Sequence, residues 1–200
     1  MALWTDPHIP EIGDAIPRAH GRLAAAFGRV MMGIWGWRFE GEVPNVAKMV
    51  LIVAPHTSNW DFPAGLFAKL AMRLDGRFIG KHTLFRWPFG VFLRAIGGIP
   101  VDRSAAQGVV EDATRALREA ERFLLVVAPE GTRRKATKWK SGFYRMAVAA
   151  GVPILLVAFD WSRKVIRMGP LFEPTGDYER DLPLIQSHFS ARMARYPGYF

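Results

Sequence analysis

The 200-residue chain has no cysteine, so it can form no disulfide, bind no metal through thiolate and use no cysteine nucleophile. Near the N-terminus it also lacks a long apolar run: the uncharged stretch Val30 to Trp37 stops far short of the ~20 residues that a spanning helix needs. Residues 1–17 carry Asp6, Glu11 and Asp14 where a signal peptide would be basic and then apolar. Acidic residues are scarce, 18 against 27 Lys and Arg, and the net charge of +9 calls for an anionic partner such as nucleic acid, anionic lipid or an acidic carrier protein. There is no Gly-x-Ser-x-Gly elbow and no His-Glu-x-x-His helix. Gly76 to Lys81 superficially suggests a phosphate loop, but three residues separate its glycines where four are needed, and His82 stands where Ser or Thr would hold magnesium.

What is present is the composition of one globular domain, 50% hydrophobic and 22% charged. Met49 to Val53 is a continuous apolar run stopped by Pro55, which predicts a strand buried on both faces. Phe123 to Ala128 and Val152 to Phe159 repeat the pattern, with Gly76 to Lys81 and Val165 to Met168 as shorter strands. Helical spacing marks Phe62 to Leu74, Leu84 to Ala95 interrupted by Pro88, and Gln107 to Ala120. Leu182 to Tyr196 is expected as a closing helix whose start Pro183 makes ambiguous. Strands alternating with helices predict an α/β fold with a largely parallel, mixed sheet flanked by helices. The expected organisation is a leader over 1–17, an amphipathic membrane-interfacial helix over 18–39, and the α/β domain over 40–200. On a helical wheel Arg18, Arg22 and Arg29 fall within about 40° of each other, opposite a side carrying Leu23, Phe27, Val30, Met31, Ile34, Trp35 and Trp37. Such a helix either lies on the core or rests at a bilayer surface, with the arginines on head groups and Trp35 and Trp37 in the interface.

Polar loops follow two of the apolar strands. In an open parallel sheet, ligands bind beyond the carboxyl ends of strands, which places both loops at one cleft. The first carries His56, Ser58 and Asp61. On one continuous helix His56 and Asp61 would sit ~140° apart, so they meet only if a turn intervenes. A carboxylate accepting the Nδ1 proton of His56 would leave Nε2 as a general base. Ser58 is read as capping the helix that follows rather than as a nucleophile. The second loop carries Pro129-Glu130-Gly131-Thr132-Arg133.

His-x-Ser-x-x-Asp at 56–61, Gly-Ile-Pro-Val-Asp-Arg at 98–103, Pro-Glu-Gly-Thr-Arg at 129–133 and Val-Pro-Ile at 152–154 occur in the order of the motifs of the glycerolipid acyltransferases typified by 1-acylglycerol-3-phosphate acyltransferase, and the chain resembles that family. Trp139-Lys140-Ser141-Gly142 parallels its aromatic-Lys-x-Gly sequence at a helix start. The resemblance implies acyl transfer from acyl carrier protein or coenzyme A to the hydroxyl of a phosphorylated lyso-lipid, with no metal and no resident cofactor. His56 and Asp61 are then catalytic, and Arg103, Glu130, Gly131, Thr132, Arg133 and Lys140 form the site for the acceptor's phosphate. Glu130 is expected to pair with and position an arginine. Lysophosphatidic acid is the leading acceptor and a lyso-ornithine lipid the next. Pro55 where many members carry Asn, His82-Thr83 after Lys81, and Arg134 after the third motif all bear on acceptor identity.

The expected place of work is the cytoplasmic face of the cell membrane. A noncatalytic lipid-binding module would keep the basic cleft but has no need of His56 with Asp61. A nucleic-acid partner is not expected, because the arginines are not gathered on one recognition helix.

Overall fold

A computed structural model describes residues 4–19, 21–102, 106–136 and 138–200. Its centre is a seven-stranded sheet in the order β1-β7-β6-β2-β5-β3-β4. The strands are β1 (Arg38–Glu40), β2 (Lys48–Ala54), β3 (Gly76–Lys81), β4 (Gly98–Val101), β5 (Phe123–Val127), β6 (Ile154–Asp160) and β7 (Val165–Phe172). β6, β2, β5, β3 and β4 all run one way, while β7 pairs antiparallel with β6, and β1 is parallel to β7. The largely parallel, mixed sheet expected from the sequence is therefore present. β7 extends well past the expected Met168, and β1 overlaps the last two residues of the range expected to be helical.

The apolar runs are continuous because each central strand buries both faces. Met49 and Leu51 of β2 join Leu155, Val157 and Phe159 of β6 in one core, under α1 (Arg22–Trp35) and α2 (Asp61–Met72). Val50, Ile52 and Ala54 alternate with them and meet Ile154, Leu156 and Ala158 in the other core. Over that face lie α4 (Ala106–Glu119), α5 (Gly142–Ala150) and α6 (Tyr178–Gln186). The short α3 (Phe89–Ala95) follows a 3-10 turn over His82–Phe85 beyond β3.

Two segments differ from the sequence reading. The expected closing helix starts earlier, at Tyr178, because the Asp177 carboxylate accepts the Arg180 N–H and caps it. Pro183 sits inside α6, and the chain after Gln186 runs on as irregular tail and 3-10 turns. The N-terminal segment is not a detached leader: Ile16 is fully buried, and the Arg122 guanidinium donates to the Asp14 carbonyl. No helix among the described residues is long and apolar enough to cross a membrane.

Candidate functional site

Three neighbouring parallel strands, β5, β2 and β6, release their chains at the same sheet edge, and each loop brings one polar group to a common point. After β2 the chain turns through Pro55 to Trp60 before α2 begins at Asp61, which supplies the turn that the His56–Asp61 spacing requires. His56 Nδ1 lies 3.1 Å from Asp61 Oδ2. The Asp61 side chain is almost wholly buried, and its charge is held by donors: the Ser58 N–H at 2.8 Å on Oδ2 and the Trp161 indole N–H at 2.7 Å on Oδ1. Its place in the first turn of α2 adds the favourable end of the helix dipole. The imidazole is about one fifth exposed and so reaches the solvent side of this frame.

Ser58 does not cap α2 as expected. Its hydroxyl accepts the Trp60 N–H inside the turn, while Trp60 itself holds the cap position. This use of the Oγ stiffens the path between His56 and Asp61.

β5 delivers Glu130, and its role differs from the expected pairing with an arginine. Oε1 accepts the His56 backbone N–H at 2.8 Å, and Oε2 is buried without a protein partner. Burial pushes the Glu130 carboxyl above its ordinary value of 4.5, against the pull of the His56 and Glu130 backbone N–H groups. The folded protein therefore holds this proton in a range where the unfolded chain has released it, and stability falls as pH rises from 4.5 toward the folded pKa. Glu130→Gln keeps an acceptor toward His56 and removes that slope. Urea unfolding at successive pH values should show the variant gaining on wild type as pH rises; a constant difference would mean that Glu130 ionises normally.

Gly131 takes a left-handed backbone with φ of 64°, and the Lys140 side chain lies across it so closely that an added Cβ would meet Cε at 2.9 Å. The Lys140 N–H donates to the Pro129 carbonyl, which ties the start of α5 to the same loop. Thr132, Arg133 and Lys140 are exposed, and the Thr132 hydroxyl accepts the Arg134 N–H. Arg103 lies outside the described residues. A cavity of about 280 Å³ opens beside the loop, lined by Glu130, Lys138, Trp139, Gln186, Tyr199 and Phe200 among others.

The β6 contribution, Trp161, was not anticipated from the sequence. Besides holding Asp61, it carries the Arg195 guanidinium 4.4 Å and the Lys164 ammonium 4.7 Å from its ring centroid. The C-terminal tail reaches the same edge, since the Trp161 N–H donates to the Met193 carbonyl and the Tyr196 N–H to the Thr57 hydroxyl. Trp161→Phe retains a ring for these contacts and deletes only the donor to Asp61. We expect kcat to fall about tenfold with KM little changed. Steady-state kinetics of a variant that melts like wild type checks this, and an unaltered kcat would leave Trp161 a packing residue.

The residues assigned to membrane contact fare unevenly. α1 begins at Arg22 behind Gly21, so Arg18 is off the helix; its backbone bridges Leu74 and its guanidinium donates to the Ile12 carbonyl. Arg22 and Arg29 are exposed on α1. Trp37 is fully buried, because α1 stops at Gly36 with φ of 74° and the chain turns inward, setting the indole edge-on to Trp161. Trp35 is half-buried among Trp60, Phe67 and Trp161. The apolar side chains that α1 does expose are Leu23, Phe27, Val30 and Ile34.

The family model described as Acyltransferase matches residues 37–160, which include the His56, Asp61 and Glu130 loops. The 1-acyl-sn-glycerol-3-phosphate acyltransferase of Haemophilus influenzae is 26% identical over 151 residues, covering 70% of this chain and 61% of that protein. Its namesake from Escherichia coli is 27% identical over 155 residues, covering 72% and 61%. The chain thus matches about three fifths of the length of these curated relatives. The crystal structure of the 1-acyl-sn-glycerophosphate (LPA) acyltransferase PlsC from Thermotoga maritima superposes with a TM-score of 0.61 at 19% identity, over 84% of this chain and 75% of that one, and so shares the fold. With the family model spanning more than half of its length, and the histidine and aspartate inside that span held in contact, the chain belongs to the acyltransferase family.

Proposed function

We propose that the protein transfers a fatty acyl group from an acyl carrier protein or coenzyme A thioester to the free hydroxyl of 1-acylglycerol-3-phosphate, in phospholipid synthesis. The carrying observation is the His56–Asp61 contact, in which a buried carboxylate with two further donors fixes the imidazole. The Nδ1 proton faces Asp61, so Nε2 takes the proton of the acceptor hydroxyl as its oxygen attacks the thioester carbonyl. The tetrahedral intermediate then expels the thiolate, which recovers the proton from Nε2 as the ester forms. Atoms and charge balance without an acyl-enzyme. The bond from Glu130 to the His56 backbone holds the base in place from the second loop.

Arg133 and Lys140 at the rim, together with Arg103, supply charge for the acceptor's phosphate. The acceptor's tail leaves a bilayer only at ~0.8 kcal/mol per CH₂, so the reaction runs at the membrane surface. The exposed Leu23, Phe27, Val30 and Ile34 stripe of α1 supports docking there, on the cytoplasmic face.

The test is an assay of purified protein with each donor against a panel of lyso-lipids that includes lysophosphatidic acid and lyso-ornithine lipid. The expected result is His56-dependent acylation, fastest with lysophosphatidic acid. Preference for the ornithine lipid would move the substrate assignment, and no transfer to any acceptor would remove the enzyme reading.

A further inference from the structure

Beyond β3 the chain displays a second apolar surface that the site does not use. Trp87 is 87% exposed, Phe89 72%, Val91 65%, Leu84 52% and Phe92 48%. This density of large apolar side chains in so short a segment exceeds the scatter normal for a soluble surface. The segment is firmly built beneath. Phe85 is buried against Gly80 and Gly98, where any Cβ would lie within 2.9 Å of its ring, and Gly90 passes so close to the Phe85 carbonyl that no side chain fits. Arg94 folds back over the same ring, 5.5 Å from its centroid. One anchored aromatic therefore holds a turn and a short helix that present the other aromatics outward.

The charge pattern selects the partner. No acid occurs between Asp75 and Asp102, whereas Lys81 and Arg86 flank the aromatics and are exposed. His82 at the same end faces Asp102 at 3.9 Å. A second copy docked about a two-fold axis would bring this predominantly basic segment onto itself. An anionic bilayer offers acyl chains to the rings and phosphates to the cations. The position fits as well: β3 is parallel to β5 and ends at the edge where His56 and Glu130 emerge. α2 links the two elements that carry these surfaces, packing on α1 through Phe67 and bonding Lys69 Nζ to the Ile96 carbonyl at the end of α3.

We propose that Leu84 to Phe92 inserts into the anionic membrane surface beside the active-site edge, as a second contact independent of α1. The inference rests on the membrane reading of the site. Because the chain has no cysteine, Val91→Cys in the full-length protein takes a single nitrobenzoxadiazole label, and Glu119→Cys, at the end of α4 beside the start of β2 and so at the other end of the sheet, provides a control. On adding mixed phosphatidylcholine–phosphatidylglycerol vesicles, label 91 should brighten, shift to the blue and be quenched by nitroxide-bearing lipid, with label 119 unchanged. Trp87→Ser with Phe89→Ser should weaken vesicle flotation about tenfold or more and melt like wild type, since both rings are mostly exposed. A silent label 91 on a chain that still floats with vesicles overturns the second contact and leaves docking to α1. Loss of both signals overturns the membrane reading too. A label that responds to protein concentration without vesicles makes the occupant a second copy and overturns the lipid assignment.

Discussion

His56→Ala should lower acyl transfer by about 10²- to 10⁴-fold and leave the thermal melt close to that of wild type. Alanine removes a partly exposed imidazole from a loop, while the bonds that shape the loop run through other groups: the His56 N–H to Glu130, the Ser58 N–H to Asp61 and the Trp60 N–H to the Ser58 hydroxyl. Asp61→Asn should cost nearly as much for a different reason. The carboxylate now accepts from three donors, and an amide can present oxygen only to some of them. Oδ2 serves both His56 and the Ser58 N–H while Oδ1 serves Trp161, so the asparagine NH₂ must oppose a fixed N–H donor in either orientation, and the neutral amide no longer stabilises the imidazolium that forms during proton transfer. Thiol release from the donor measures both variants. Turnover near wild type in His56→Ala would sink the base mechanism, and an acyl group trapped on Ser58 from donor alone would replace direct attack with an acyl-enzyme.

The parts of this site that could be read from the sequence are the ones built locally. The strand of Met49 to Val53, the turn after Pro55 and the His56–Asp61 spacing lie within one short stretch, and a strand buried on both faces announces itself as a continuous apolar run. Trp161 was missed because its bond to Asp61 spans 100 residues, and nothing near position 161 marks an indole N–H aimed at a carboxylate. Thr57 and Tyr196, 139 residues apart, were hidden for the same reason. Glu130 was placed at the right cleft but given the wrong partner, since its bond goes to a backbone N–H, which every residue carries except proline. At Trp37 the error was one of period: the apolar pattern was continued through Gly36, where the left-handed backbone ends the helix and sends the next side chain into the core.

The same period hid which side of α1 faces inward. Leu23, Phe27, Val30 and Ile34 form one stripe within about 60° and look like a core face, yet each is exposed. The inner side instead carries Gly28, Met32 and Gly33, with Trp4 lying against Gly33. Small residues there let the helix backbones come close, which a count of apolar side chains does not register.

This arrangement makes α1 part of the fold as well as a candidate docking surface, and Gly28 is the position that separates the two roles. A Cβ at Gly28 would stand 2.6 Å from the Ala71 nitrogen and 2.7 Å from the Phe67 carbonyl oxygen of α2. Both are backbone atoms in a helix and cannot swing aside, so α1 must move. Gly28→Ala gains about 1 kcal/mol of helix propensity against that clash and should be mildly destabilising. Gly28→Leu adds three more carbons to the same gap and should cost about 3 kcal/mol or more, because a displaced α1 also uncovers Met32 and strains the turn that buries Trp37. In a chain of this length that corresponds to a fall in Tm of roughly 6–12 °C. The exposed stripe is untouched, so vesicle flotation of the folded fraction should persist below the transition. Deletion of residues 1–37 removes Ile16, Met32 and Trp37 from the core and should leave no cooperative melt. If Gly28→Leu melts with wild type, or the truncated chain folds, α1 is only an appendage, and its exposed apolar stripe says nothing about how the catalytic edge faces a membrane.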